Sequence, residues 1–294
     1  MLMHPFLIEI KQDRPGFDRF IGSWVCPGDK NIVIDVGPSR SVTKLFSSLS
    51  ALGIHRVDLV LLTHIHMDHA GGLAEFLDHF PMATAVCHDK GVSHLVDPSK
   101  LWLGSRKTLG DLADSYGPIR PVPKKRLIPH SGAREEGIDI IETPGHAPHH
   151  LSYIIQEHLF AGEAGGIYLA GDGWECLRPA TPPVFFLKEF IGSIDRLLNA
   201  PDMPIGYAHF GRAGSSHRML KRERDQLLLW ERLIRAEMAQ NDDRLTERCM
   251  QRLWHEDPEL KAFEAMSSAD QEREKFFMAN SIKGYLEFLQ RSDP

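Results

Sequence analysis

Residues 63–72 read Thr63, His64, Ile65, His66, Met67, Asp68, His69, Ala70, Gly71, Gly72, and so place four side chains of metal-ligand type within six positions. Just before them stands the apolar run Val57, Leu59, Val60, Leu61, Leu62, which reads as a buried strand. Side chains alternate along extended backbone, so His64, His66 and Asp68 leave on one side. His69 then needs a turn to reach the same place, and Gly71 and Gly72 are expected to supply the backbone freedom for it. Imidazole and carboxylate together suit zinc, iron or manganese; calcium wants oxygen alone. A single histidine among the 16 in this chain would say little, but this spacing at the end of a strand points to a metal site.

Around that motif the apolar pattern alternates between two periods. Leu45, Phe46, Leu49 and Leu52 recur at helical spacing and stop at Gly53; Leu73, Phe76, Leu77 and Phe80 do the same before Pro81; Leu187, Ile191, Ile194 and Leu198 repeat it before Pro201. Short β-branched or apolar runs at 31–35, 57–62, 84–86, 138–141, 152–155, 167–170 and 205–208 read as strands between them. Such alternation predicts an α/β architecture with sheets covered by helices. From Ser215 onward the pattern is helical only, with stripes at Leu227, Trp230, Leu233, Ile234 and Met238, at Leu245, Cys249 and Leu253, and at Met278, Ile282, Tyr285, Leu286 and Leu289. Ser268 with Gln271 is expected to form a capping box for the last of these. The expected division is therefore 1–213 for the α/β domain and 214–294 for a helical appendage, packed on that domain or on a second copy.

The HxHxDH pattern at a strand end resembles the metallo-β-lactamase fold superfamily, and three later stretches extend the likeness in the same order over residues 6–212. Thr143, Pro144, Gly145, His146 is similar to the family's next ligand turn, Leu169, Ala170, Gly171, Asp172 to its bridging carboxylate, and Ile205, Gly206, Tyr207, Ala208, His209 to its final histidine. The resemblance implies a four-layer αββα sandwich. It also implies one metal held by His64, His66 and His146 and a second held by Asp68, His69 and His209, with Asp172 shared between them. Two cations sharing a carboxylate lie roughly 3.5–4 Å apart. The same likeness gives Asp35, in Ile34, Asp35, Val36, Gly37, the task of bracing the ligand loop, and His150 a supporting place in its turn.

The implied chemistry is hydrolysis by a hydroxide shared between two divalent cations, zinc first and iron or manganese next, with Asp68 orienting the nucleophile and passing a proton to the leaving group. The helical tail and the Ala208, His209, Phe210, Gly211 turn resemble a group similar to lactonases and glyoxalase II enzymes, so the expected substrate is a small ester, thioester or lactone. Three alternatives stand beside it: a mononuclear iron dioxygenase acting on a persulfide, a phosphodiesterase, and a non-enzymatic protein in which metals brace the fold and the tail mediates assembly.

Charge and composition narrow the partners. A net charge of −6 argues against a nucleic-acid surface, and the basic run from Arg218 to Arg224 alternates with Glu223 and Asp225 as a solvated helix face would. Cys26, Cys87, Cys176 and Cys249 form no CxxC pair, which fits a reduced cytoplasm better than a disulfide scaffold or a zinc ribbon. The first 13 residues make a poor signal peptide and no run is long enough for a membrane span, so no membrane association is expected. The expected partner is a small-molecule substrate, with a homodimer as the assembly. Residues 88–126 and 174–187 are the segments expected to wall its pocket.

Overall fold

The computed structural model describes residues 4–171, 173–239 and 243–292. β1 (Phe6–Glu9), β2 (Gly22–Cys26) and β3 (Ile32–Ile34) are antiparallel neighbours, and β3 then runs parallel to β4 (Leu59–Leu61), β5 (Thr84–Cys87) and β6 (Leu127–Pro129). Parallel neighbours require crossovers. These are α1 (Val42–Ala51), then α2 (Met67–Ala70) with α3 (Leu73–His79), then α4 (Asp89–Val96), α5 (Ser99–Leu109) and α6 (Asp111–Tyr116). The long stretch 88–126 is thus largely a crossover of helices.

A second sheet follows from β7 (Ile138–Glu142), β8 (Leu151–Ile155) and β9 (His158–Gly162). The hairpin of β10 (Ile167–Gly171) and β11 (Trp174–Arg178) leads to α7 (Leu187–Leu197), and β12 (Ile205–Tyr207) and β13 (Arg212–Ala213) return to that sheet in the order β13-β12-β9-β8-β7. The described chain ends in α8 (Ser216–Met238), α9 (Leu245–Glu256) and α10 (Ser268–Ser292).

Period two decides how the sheets stack. Trp24, Cys26, Ile32, Ile34, Leu59, Leu61 and Val86 of the first sheet share one buried cluster with Leu151, Tyr153, Ile155 and Phe160 of the second, while Val25, Val33, Val60 and Ala85 face the helices instead. Polar tips in that dry layer find backbone partners, as burial demands: Trp24 Nε1 donates to Tyr207 O at 2.9 Å and the Tyr153 hydroxyl to Leu62 O at 2.6 Å. Helices cover the outer faces, giving the expected α/β sandwich with a helical C-terminal region.

Three local expectations change. The strand before the histidines stops at Leu61, and Asp68 and His69 stand in the single helical turn α2 rather than on extended backbone. Gly71 and Gly72 keep negative φ; they are needed for close approach, since a Cβ would lie 2.2 Å from Met67 O at Gly71 and 2.7 Å from Val42 Cβ at Gly72. The cap of α10 is Ser267, whose hydroxyl accepts from Asp270 N at 3.2 Å, one residue before the expected Ser268 pairing. The tail packs without a break on the rest: Met219, Leu220, Leu227 and Trp230 of α8 belong to the same buried cluster as Ile167, Leu177 and Phe190.

Candidate metal centre

The residues of the histidine motif converge with two later histidines at one edge of the sandwich. His64, His66, His146 and Glu163 each offer a ligand atom within 4.8 Å of the others, and Asp68, His69 and His209 form a second such group. His64 and His66 lie between β4 and α2, His146 in the turn between β7 and β8, and His209 directly after β12. All the expected histidines therefore meet.

The expected shared carboxylate, Asp172, lies outside the described residues. Among the described residues, Glu163 is the carboxylate that touches both groups. Its Oε2 lies 2.7 Å from His146 Nε2 and 3.1 Å from His64 Nε2, and its Oε1 lies 3.2 Å from His209 Nε2. Asp68 Oδ2 stands 3.6 Å from His69 Nε2 and 3.7 Å from His209 Nε2. Glu163 went unread in the sequence because Leu159, Phe160, Ala161, Gly162, Glu163 and Leu169, Ala170, Gly171, Asp172 both present an apolar run, a glycine and an acid. β9 carries no β-branched residue, so its run does not announce a strand end in front of Glu163.

Local structure explains why Glu163 is held so firmly. Gly162 has φ +58 and passes so close to His150 that a Cβ would lie 2.4 Å from its Nε2. That nitrogen accepts the Glu163 N–H at 3.0 Å, so the ring proton sits on Nδ1 and is donated to Thr143 Oγ1 at 2.8 Å. Burial, and then His146, push the His150 pKa well down, which keeps this relay neutral. Asp35 braces the other side with φ +56. Its Oδ1 accepts from Thr63 N at 2.8 Å, and its Oδ2 faces Thr63 Oγ1 at 2.7 Å and His69 Nδ1 at 3.1 Å.

The Nδ1 atoms of His146, His209 and His64 are tied down in the same manner, while His66 Nδ1 faces His146 Nε2 at 3.0 Å. His146 Nδ1 donates to Ala180 O at 2.8 Å and His209 Nδ1 to Phe20 O at 3.2 Å, while His64 Nδ1 faces Thr63 Oγ1 at 3.1 Å. Fixing Nδ1 turns Nε2 inward as a lone-pair donor, the arrangement that metal-binding histidines need. The Nε2 atoms of His64 and His69 are buried and lack a hydrogen-bond partner. Burial holds His64 well below its usual value and, with His146, lowers His66 to about 4, so both rings are neutral. Burial opposes charge on His69 as well, but Asp68, Asp35 and Glu163 outweigh it and raise its pKa to about 10. Glu163 stays ionised despite its burial because His146, His209 and His64 surround it. Neutral rings at His64 and His66, an ionised Glu163 and unpartnered nitrogens turned inward fit a pair of divalent cations, to which His69 would give up its second ring proton.

Above the centre opens a cavity of about 450 Å³. α5 contributes Lys100, Leu101 and Leu109 to its wall, and the stretch after β11 contributes Ala180, Pro182 and Pro183, so both segments expected to wall a pocket do so. α10 adds Phe277, Asn280 and Ser281, residues of the expected helical tail that lie beside its apolar stripe. A separate trio, His88, His130 and Glu142, also clusters within 4.8 Å. There His88 Nδ1 accepts the Lys90 N–H at 3.1 Å, leaving its proton on the Nε2 that faces Glu142; this is a hydrogen-bonded surface network.

Known proteins resemble this chain in sequence and shape. The sequence profile of the metallo-beta-lactamase superfamily matches residues 23–224. A metallo-beta-lactamase fold-containing protein of Sulfurisphaera tokodaii is 32% identical over 204 residues, covering 66% of this chain and 74% of that protein. A probable metallo-hydrolase of Methanocaldococcus jannaschii is 31% identical over 204 residues, 68% of this chain and 91% of that protein. A hydroxyacylglutathione hydrolase of Salmonella paratyphi A is 30% identical over 158 residues, 51% of this chain and 48% of that enzyme. Among solved structures, an archaeal metallo-beta-lactamase superfamily protein from Sulfolobus tokodaii superposes with a TM-score of 0.71 at 24% identity, over 96% of this chain and 98% of its own.

Proposed function

The chain belongs to the metallo-beta-lactamase superfamily, and from that premise we propose that it is a dinuclear metal-dependent hydrolase of a small ester, thioester or lactone. The observation that carries this reading is the position of Glu163, one carboxylate in reach of both ligand groups beneath an open cavity. His64, His66 and His146 would hold one cation, Asp68, His69 and His209 the other, with Glu163 between them. A structural zinc site closes its coordination with four protein ligands, whereas a pair sharing a carboxylate leaves positions for water and substrate.

Bound there, two cations supply Lewis acidity and a nucleophile near neutral pH, by lowering the pKa of water to about 7. The protein supplies the rest. Asp68 borders the cavity, where it orients the attacking water and carries its proton to the leaving group. His146 and His209, anchored through Nδ1 on backbone carbonyls, keep their Nε2 atoms fixed while charge develops. Leu101, Leu109 and Phe277 give the acyl body an apolar surface and exclude water from it. The Salmonella relatives act on hydroxyacylglutathione by name, an acylated thiol, which favours thioesters within the class.

Elemental analysis of the purified protein, with a panel of thioesters, lactones and phosphodiesters, tests the proposal. The expected result is two equivalents of zinc, iron or manganese and turnover of an acyl substrate. Glu163→Gln should lose metal and lower kcat/KM by more than the roughly 10- to 100-fold that loss of an outer partner costs. One iron per chain with oxygen uptake on glutathione persulfide would overturn it.

A further inference from the structure

Arg178 closes β11 with a side chain only 3% exposed, yet it lines the cavity above the metal centre. Its Nε donates to Glu274 Oε2 of α10, and its guanidinium lies 5.4 Å above the Phe277 ring. Among the described residues this is the hydrogen bond its side chain makes, so the terminal nitrogens, the fork that matches a carboxylate, are left without a protein acceptor. Glu274 is divided between two guanidiniums, since Arg273 Nε donates to its Oε1 at 2.8 Å. The nearby Glu223 adds no compensating charge, because burial drives its carboxyl well above the usual range and keeps it protonated.

The rest of the wall points the same way. Asn280, 8% exposed and also among the lining residues, has an amide nitrogen with no partner. The carboxylates among the lining residues, Asp68 and Glu163, both belong to the metal centre; away from it the charged lining residues are the cations Lys100 and Arg178. A buried arginine pinned by one edge, with its other edge toward an apolar cavity, is costly to the fold unless an anion arrives to meet it.

We propose that Arg178 is the specificity residue of this cavity, and that its free guanidinium edge binds a carboxylate carried by the substrate away from the bond that is cut. This rests on the hydrolase reading above and narrows it to acyl compounds with a second, anionic end.

The test uses full-length, metal-loaded protein and two matched substrate pairs. One pair is the glutaryl and glutaramoyl thioesters of a single neutral thiol; the other is the acetyl thioesters of mercaptoacetate and mercaptoacetamide. Charge-assisted hydrogen bonds of this kind correspond to a preference of roughly 10- to 100-fold. In one of the pairs the carboxylate member should be favoured by that factor in kcat/KM, mainly through KM. Arg178→Met should bring the ratio to near one, and Arg178→Lys should restore part of it. Because Arg178→Met removes a buried partner of Glu274, the wild-type protein is also titrated calorimetrically with glutarate and glutaramide, and glutarate should bind more tightly. Equal rates within both pairs, with equal binding of the two diacid derivatives, would overturn the inference and leave the hydrolase reading standing. A ratio that survives in Arg178→Lys and Arg178→Met alike would also overturn it. If no ester, thioester or lactone is turned over, the hydrolase reading falls, and the glutarate titration still decides whether Arg178 holds a carboxylate.

Discussion

Glu163 starts from a glycine turn pressed against His150 and reaches both ligand groups, although the sequence pattern does not single it out; Asp172, which the pattern does single out, lies outside the described residues. The histidines were legible in the sequence because strand ends and turns announced them. Glu163 was not, because two apolar runs each end in glycine and an acid, and nothing in the sequence ranks one above the other. Glu223 was equally hidden, since its surroundings in sequence are those of a solvated helix face. In the structure it is fully buried, with neither carboxylate oxygen bonded. Burial, then Asp257, raises its folded-state pKa above the ordinary 4.5. A raised carboxyl binds its proton more tightly in the folded than in the unfolded chain, so its contribution is greatest below pH 4.5 and declines as pH rises toward its folded value. Glu223→Gln does not titrate. The variant should therefore gain on the wild type above that pH, by about 1.4 kcal/mol per unit within the window. Denaturation midpoints measured from pH 5 to 8 should diverge; parallel curves would contradict this.

At the scale of elements, the runs that were read as strands formed within a residue or two of their expected ends, because their residues are β-branched and bounded by turn formers. β2 and β11 are hidden for a physical reason. Gly22 and Ser23, or Glu175 and Arg178, interrupt the apolar pattern, yet Ser23 donates to Asp35 O at 2.7 Å and Arg178 to Glu274, so partners inside the fold replace hydrophobicity. The contact between α10 and the stretch after β11 depends on one small residue. At Gly284 a Cβ would stand 2.0 Å from Thr181 O, so helix and backbone meet there without a side chain between them. Gly284→Ala improves helix propensity but forces the two apart. Overpacking of this sort costs about 1–3 kcal/mol, more than the ~1 kcal/mol gained from propensity. Chemical denaturation should show a net loss of stability; a gain would mean that the helix can shift freely.

Across the whole molecule, the boundary expected after residue 213 separates two patterns in the sequence but no gap in the packing. Trp230 donates to Asp257 Oδ2 at 2.7 Å, Gln226 reaches Leu177 O at 2.8 Å, and Tyr285 donates to Leu227 O at 2.9 Å, knitting α8, α10 and β11 into one buried layer. Truncation after residue 213 would strip partners from Ile167, Leu177 and Phe190 and expose their apolar faces. The shortened chain is expected to lose cooperative thermal unfolding and to bind a hydrophobic dye, as states without fixed packing do. A sharp transition in calorimetry would instead mark 1–213 as self-sufficient. Among the described residues no helix is long and apolar enough to cross a membrane.

His209 and His146 are aligned by the carbonyl oxygens of Phe20 and Ala180, and these two residues also border the cavity. A carbonyl is common to every amino acid, so the grip on the two imidazoles does not depend on which side chain occupies either position. Alignment and pocket shape are therefore written on separate parts of the same two residues. Exchanges at 20 and 180 can remodel the chamber for a different guest while the rings beneath keep their bearing.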